Sequence, residues 1–190
     1  MRIIAGEFRG RKLLPPATGA TRPITDRVKQ SLFDILAPRL GGAAVFDCFA
    51  GTGSMGLESL SRGASHVSFF ETERTALDRL SQNIAALGLG DRSNVVSMDL
   101  FRWFASPTTR DQAALVFLDP PYRFLNERPE ELRRLAVNLI ARHLLPDAIV
   151  VFRHDSADTL DLPGLKVLDT RQYGGMTLEL LSQDTPATIG

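Results

Sequence analysis

Cysteine is almost absent from this sequence. Cys48 stands alone among 190 residues, which excludes an internal disulfide and any multi-cysteine zinc or iron–sulfur site. The three histidines, His66, His143 and His154, are scattered without a spacing that would gather them on a metal, so no metal is expected. Long hydrophobic runs are missing too. Nothing approaches the roughly 18 apolar residues that span a bilayer, and the short apolar patch Ile3-Ile4-Ala5 gives way to charge, unlike a secretory signal. The expectation is a cytoplasmic monomer without membrane contact. Repeats and low-complexity segments are also lacking. What remains is ordinary globular composition, 44% hydrophobic and 23% charged, in a length that suits one core.

Net charge is zero, from 22 basic and 22 acidic residues, but it is unevenly placed. Between Met1 and Arg39, Arg2, Arg9, Arg11, Lys12, Arg22, Arg27, Lys29 and Arg39 face only Glu7, Asp26 and Asp34, a balance of 8 − 3 = +5. The rest of the chain carries 14 − 19 = −5. A basic N-terminal fifth on an acidic body fits a polyanionic partner, though a solvated charged face explains it equally well.

The hydrophobic pattern alternates strand and helix. Gly6 and Gly10 interrupt short β-prone pieces up to Pro15-Pro16, predicting a hairpin arm and loop over residues 1–24. Thr25-Asp26 sits where an N-cap belongs, before Val28, Leu32, Ile35 and Leu36 at helical spacing, with Pro38 and Gly41-Gly42 as the stop. Strands are predicted at residues 43–49, 67–70, 94–98, 113–118 and 148–152, with helices at 55–62, 73–87 and 130–143 between them. Residues 165–168 and 176–181 flank Tyr173-Gly174-Gly175 as a closing antiparallel pair. This is the pattern of a doubly wound, Rossmann-like α/β domain over 25–182, mostly parallel with an antiparallel C-terminal strand, and a tail at 183–190 expected to be disordered.

In such sheets ligands bind beyond the carboxyl ends of the strands. After the first strand, Asp47-Cys48-Phe49-Ala50-Gly51-Thr52-Gly53-Ser54-Met55-Gly56 contains G-x-G-x-x-G. Alone, that string favours a dinucleotide, and Glu71 at the end of the second strand would accept ribose hydroxyls of any adenosine cofactor. Asp47 separates the cases. A carboxylate aimed at the loop repels pyrophosphate and suits the ammonium of a methionine moiety. The pattern therefore matches S-adenosylmethionine on a class I methyltransferase sheet, held by Asp47, Phe49, Ala50, Gly51, Gly53, Gly56, Glu71 and Asp99. Asp99 reads equally as a contact to the adenine amine and as a helix N-cap for 100–104.

The fourth strand runs into Asp119-Pro120-Pro121-Tyr122. The prolines stiffen a loop that lacks backbone donors there. Asp119 and the Pro120 carbonyl can accept both N–H bonds of an exocyclic amine, leaving its lone pair aimed at the methyl, while Tyr122 stacks on the extruded base. A rigid turn is the bland alternative for these four residues alone. Cys48 and the aromatics Phe101, Trp103 and Phe104 read as core packing.

With these residues in view, the chain resembles the bacterial RsmD family. The likeness runs through Arg2–Gly6, Arg9–Leu13, Arg22–Lys29, Phe46–Ala64, Phe117–Tyr122 and Tyr173-Gly174. The N-terminal pieces are its specific part. The resemblance implies methylation of a guanine N2 amine in 16S rRNA, on assembled or nearly assembled small subunits, through the basic arm and first helix. Arg9, Arg11, Lys12, Arg22 and Arg27 would then neutralise phosphates; Arg22 and Thr25 could equally lie over the cofactor. Ile24, Lys29-Gln30 and Ser59 depart from the family's usual residues. The competing readings are an amine methyltransferase acting on DNA adenine or protein glutamine, a nicotinamide dehydrogenase, and a catalytically silent RNA-binding relative.

Overall fold

In the computed structural model, the structure describes residues 1–16 and 24–184. Arg22, most of the loop after the arm and residues 185–190 of the expected tail lie outside the described residues.

The order of elements is α1 (Asp26–Leu40), β1 (Ala44–Cys48), α2 (Ser54–Ser61), β2 (His66–Phe70), α3 (Arg74–Leu87), β3 (Ser93–Val96), α4 (Leu100–Ala105), β4 (Ala113–Leu118), α5 (Phe124–Glu127), α6 (Pro129–Asn138), β5 (Leu144–Asp155), β6 (Leu165–Tyr173) and β7 (Met176–Gln183). The seven strands form one sheet in the order β3-β2-β1-β4-β5-β7-β6. Strands β1 to β5 pair in parallel, β7 runs antiparallel to β5, and β6 antiparallel to β7. The order reverses between β1 and β4, the place where ligands enter such sheets. No helix among the described residues is long and apolar enough to cross a membrane.

Side-chain alternation splits the core into two layers. Val45, Val67, Phe69, Leu115, Phe117, Ile149 and Val151 face α1, α2 and α3. Phe46, Cys48, Phe70, Val116, Leu118, Val150 and Phe152 face α4, α5 and α6. Cys48 and Phe104 are fully buried, as core residues should be. The period of two then decides where the next polar residues point. Asp47 follows Val45, Glu71 follows Phe69, Asp119 follows Phe117, and Arg153 follows Val151. All four continue the rows of the α1–α3 layer at the carboxyl edge.

Several boundaries shift from the sequence reading. Thr25 does cap α1, its Oγ1 accepting from the Val28 amide at 3.4 Å, but Pro38 lies within the helix, which ends at Gly41. So near the C-terminus a proline costs a single late hydrogen bond. The expected helix 130–143 becomes α6 followed by a wider π-type turn over Leu139–His143, and β5 extends far beyond 148–152 at both ends. Short α5 was unforeseen. Strand β7 reaches Gln183, and Asp184 donates its amide to the Gly164 carbonyl at 2.9 Å, so ordered pairing passes the expected boundary at 182.

The arm is a narrow loop with a single antiparallel bridge, Arg2–Lys12, rather than two full strands. It packs on α2. The amides of Ile4 and Ala5 donate to the two oxygens of Glu58, and the Glu7 amide donates to the Ser61 carbonyl at 2.8 Å. Gly6 has φ +84°, and a Cβ there would sit on the Ser61 carbonyl, so only glycine permits this approach. Ile3 and Leu13 are the arm's buried side chains, joining the α1–α3 core layer. Lys29 is buried: its ammonium donates to the Arg2 carbonyl at 2.7 Å and lies 3.3 Å from Glu58.

Candidate active site

A cavity of about 690 Å³ opens at the carboxyl edge, lined in part by Phe49, Gly51, Thr52, Glu71, Asp99, Asp119, Pro121 and Tyr122. Pro16, at the end of the described arm, borders it as well. The expected glycine loop, the second-strand acid, Asp99 and the proline loop thus converge on one volume. The arm's Arg9, Arg11 and Lys12, and Arg27 on α1, are exposed on the surface.

The glycine loop is shaped by three distinct demands. Gly53 has φ +83° and begins α2. Gly51 has φ +56° and open space where a Cβ would be. Gly56 is needed for packing instead: a Cβ would lie 2.3 Å from Phe69 Cε1 and 2.8 Å from Val67 Cγ1. Phe49 adopts φ +62°, the one described non-glycine residue in the left-handed region, at a cost of about 1–2 kcal/mol. Its ring packs edge-on against Phe101 and Phe124, 6.0 and 5.8 Å away, and those contacts hold the strained backbone.

The acids are deployed unequally. Asp47 is 2% exposed, and its Oδ2 accepts the Gly56 amide at 2.8 Å. Burial raises its pKa to about 8; the Gly56 bond opposes the rise, and the charges of Asp119 and Glu71 add to it. It lies beneath the loop rather than on the open cavity wall. Glu71 is tied at both oxygens, Oε2 to the Gly51 amide at 2.8 Å and Oε1 to the amides of Thr72 and Glu73. A carboxylate oxygen accepts more than one bond, so Glu71 orders the loop and still presents an acceptor to the cavity. Asp99 caps α4, its Oδ1 accepting the Arg102 amide at 3.1 Å, and it also lines the cavity.

The proline loop is locked by α5. The Phe124 amide donates to the Pro121 carbonyl at 2.8 Å and the Leu125 amide to the Tyr122 carbonyl at 3.2 Å. Asp119 pairs with Arg153, whose Nε lies 2.7 Å from Oδ1. Burial raises the Asp119 pKa, with the Arg153 charge and hydrogen bond pulling it back. The Arg153 guanidinium also sits 5.8 Å from the centre of the Tyr122 ring.

Arg153 is the principal residue that sequence reasoning missed, although an arginine directly after Val150-Val151-Phe152 was a visible signal. The aromatic wall was missed too. Arg128 lies over the rings of Phe101 and Phe124, at 4.5 and 4.8 Å, and is held in a fork by Glu131. Phe101 is therefore both packing and cavity lining. Acidic side chains, Glu71, Asp99 and Asp119, line the cavity. The volume, the aromatic wall and the acceptors Glu71 and Asp99 on it fit S-adenosylmethionine.

Comparison with known proteins agrees with this geometry. Residues 1–182 match the family model described as Conserved hypothetical protein 95. Ribosomal RNA small subunit methyltransferase D of Escherichia coli K12 is 42% identical over 123 residues, a match spanning 65% of this chain but only 61% of that protein's length. The Haemophilus influenzae protein of the same name is 34% identical over 166 residues, 86% of this chain and 83% of its own. The solved structure of Escherichia coli yhhF superposes with a TM-score of 0.83 at 30% identity, covering 98% of this chain and 99% of that one. On the sheet order, the glycine loop and these matches, the chain has the class I methyltransferase fold and belongs to the Conserved hypothetical protein 95 family, the RsmD family that includes ribosomal RNA small subunit methyltransferase D.

Proposed function

We propose that this protein methylates the exocyclic N2 amine of a guanine in small-subunit (16S) rRNA, using S-adenosylmethionine. The observation that carries the reading is Asp119 with Pro121 and Tyr122 on the wall of the cavity that the glycine loop floors. Bound S-adenosylmethionine supplies an electrophilic methyl on a sulfonium.

The amine's lone pair is delocalised into the base, so the residues must orient it rather than deprotonate it strongly. Asp119 and the Pro120 carbonyl accept its two N–H bonds, and Tyr122 stacks on the base. Attack by the oriented nitrogen on that methyl would leave the C–S electron pair on sulfur. The nitrogen then sheds one proton to Asp119 and onward to water. Asp47, Glu71 and Asp99 hold the methyl donor, with Phe49, Ala50, Gly51, Gly53 and Gly56 shaping the loop around it. Exposed Arg9, Arg11, Lys12 and Arg27 engage phosphates. The family relatives' names support rRNA of the small subunit as the substrate class.

The test is transfer of labelled methyl to small subunits from cells lacking this gene, with the product nucleoside identified. N2-methylguanosine is expected. Asp119→Ala is expected to abolish transfer with cofactor affinity nearly intact. No incorporation by a protein that binds S-adenosylmethionine would overturn the substrate assignment.

A further inference from the structure

We infer that Arg153 is a positioning residue for the methyl transfer proposed above, one buried cation that orients the Asp119 carboxylate and the Tyr122 ring relative to each other. The inference rests on that reading of the site for its link to transfer. Its physical basis is geometric. Strands β4 and β5 are parallel with Leu118 opposite Phe152, so the next residues along, Asp119 and Arg153, come side by side at the carboxyl edge. Arg153 is 6% exposed, yet its Nε reaches Asp119 Oδ1 at 2.7 Å and its guanidinium carbon lies 5.8 Å from the Tyr122 ring centre.

Burying a guanidinium costs several kcal/mol, and an apolar residue of similar size is commonly at least as stabilising. A packing role therefore gives no reason for arginine at this position, whereas a charge requirement does. Glu71 after β2 and Asp119 after β4 come to one layer with the buried Asp47 carboxyl on β1, whose ionisation burial opposes. From β7, Leu178 is the residue opposite Arg153, and Glu179 pairs towards His154 instead. Arg123 and Arg128 are at the cavity wall. Arg153 is thus the buried cation set against this acidic group.

The chemistry needs Asp119 as a carboxylate. A protonated Asp119 would offer an O–H donor where the amine requires an acceptor. With Oδ1 held by Arg153, Oδ2 is the oxygen left for the amine's N–H, and no rotation about the carboxyl exchanges them without breaking the pair. The same cation at the Tyr122 face fixes the plane on which the base stacks.

The test titrates Asp119 directly, without any methyl acceptor. Protein labelled with ¹³C at aspartate carboxyls is followed by NMR against pH, and the Asp119 resonance is identified by its loss in Asp119→Asn. In Arg153→Met the Asp119 midpoint is expected to rise by about 1–3 pH units, with Arg153→Lys close to the native protein. Arg153→Gln, which keeps a polar side chain, serves if the Met variant does not fold, and the same rise is expected. Single-turnover methyl transfer should fall on the order of 100-fold in Arg153→Met, with its acid limb moved to higher pH and S-adenosylmethionine affinity within about twofold of native. An unmoved Asp119 midpoint in a folded variant overturns the inference, as does transfer at the native rate. If the native protein methylates no RNA while the Asp119 midpoint still moves, the pair stands and the acceptor assignment fails.

Discussion

Relative to the native protein, Asp47→Asn should gain stability as pH rises. The side chain is 2% exposed and its pKa lies near 8, raised chiefly by burial. In the unfolded chain an aspartate titrates near pH 3.9. Between those values the native state holds one proton at this site that the unfolded state has released. The slope of stability with pH is therefore negative, about 1.36 kcal/mol per pH unit. The stabilising contribution is complete below the unfolded pKa and is lost as pH climbs through the folded one. From about pH 5 to about pH 8 the loss approaches roughly 4 kcal/mol. Asparagine keeps an oxygen for the Gly56 amide but does not titrate, so its stability relative to the native protein should climb over that range and then level off. Even about 1 kcal/mol of the difference moves Tm by roughly 2–4 °C in a chain of this size. Thermal melts of both proteins across the pH range read the difference and cancel every other titrating group. Parallel stability curves would refute the reasoning, because a carboxylate ionised throughout cannot produce divergence.

Two further expectations follow from the loop and the arm. Gly56→Ala forces a methyl against Phe69 and Val67, so it should cost about 1–3 kcal/mol and weaken cofactor binding by displacing the start of α2; a native-like melt and affinity would show that α2 can shift freely. Replacing Arg9, Arg11 and Lys12 by Ala should lower RNA affinity and reduce the slope of log K against log salt by about 0.7–0.9 for each phosphate no longer neutralised. An unchanged slope would remove the arm from the interface.

Local sequence carries local chemistry, and the loops that line the cavity were readable in advance. Asp119 was identifiable because four contiguous residues follow an apolar strand, and Glu71 because it follows another. Alternation in Val45-Phe46-Asp47 and in Leu115–Asp119 already specified strands whose final acids share a layer. Asp99 was left between two readings, and it lines the cavity while its carboxylate also caps α4. Phe49 in the left-handed region was not legible, since its backbone is held by Phe101 and Phe124, some 50 and 75 residues along the chain.

The sequence by itself determined most of the element types, the fold class and the loops at the carboxyl edge, because hydrophobic periodicity and turn chemistry act over a few residues. Tertiary structure alone decided which charges are partners. Arg153 meets Asp119 only through the register of two parallel strands whose connection spans α5 and α6. Lys29 is buried against Glu58 only because the arm folds back over α2. Whether a carboxylate is solvated or desolvated depends on everything packed around it. Asp47 and Asp119 therefore acquire their raised pKa values from the assembled sheet and not from their neighbours in sequence.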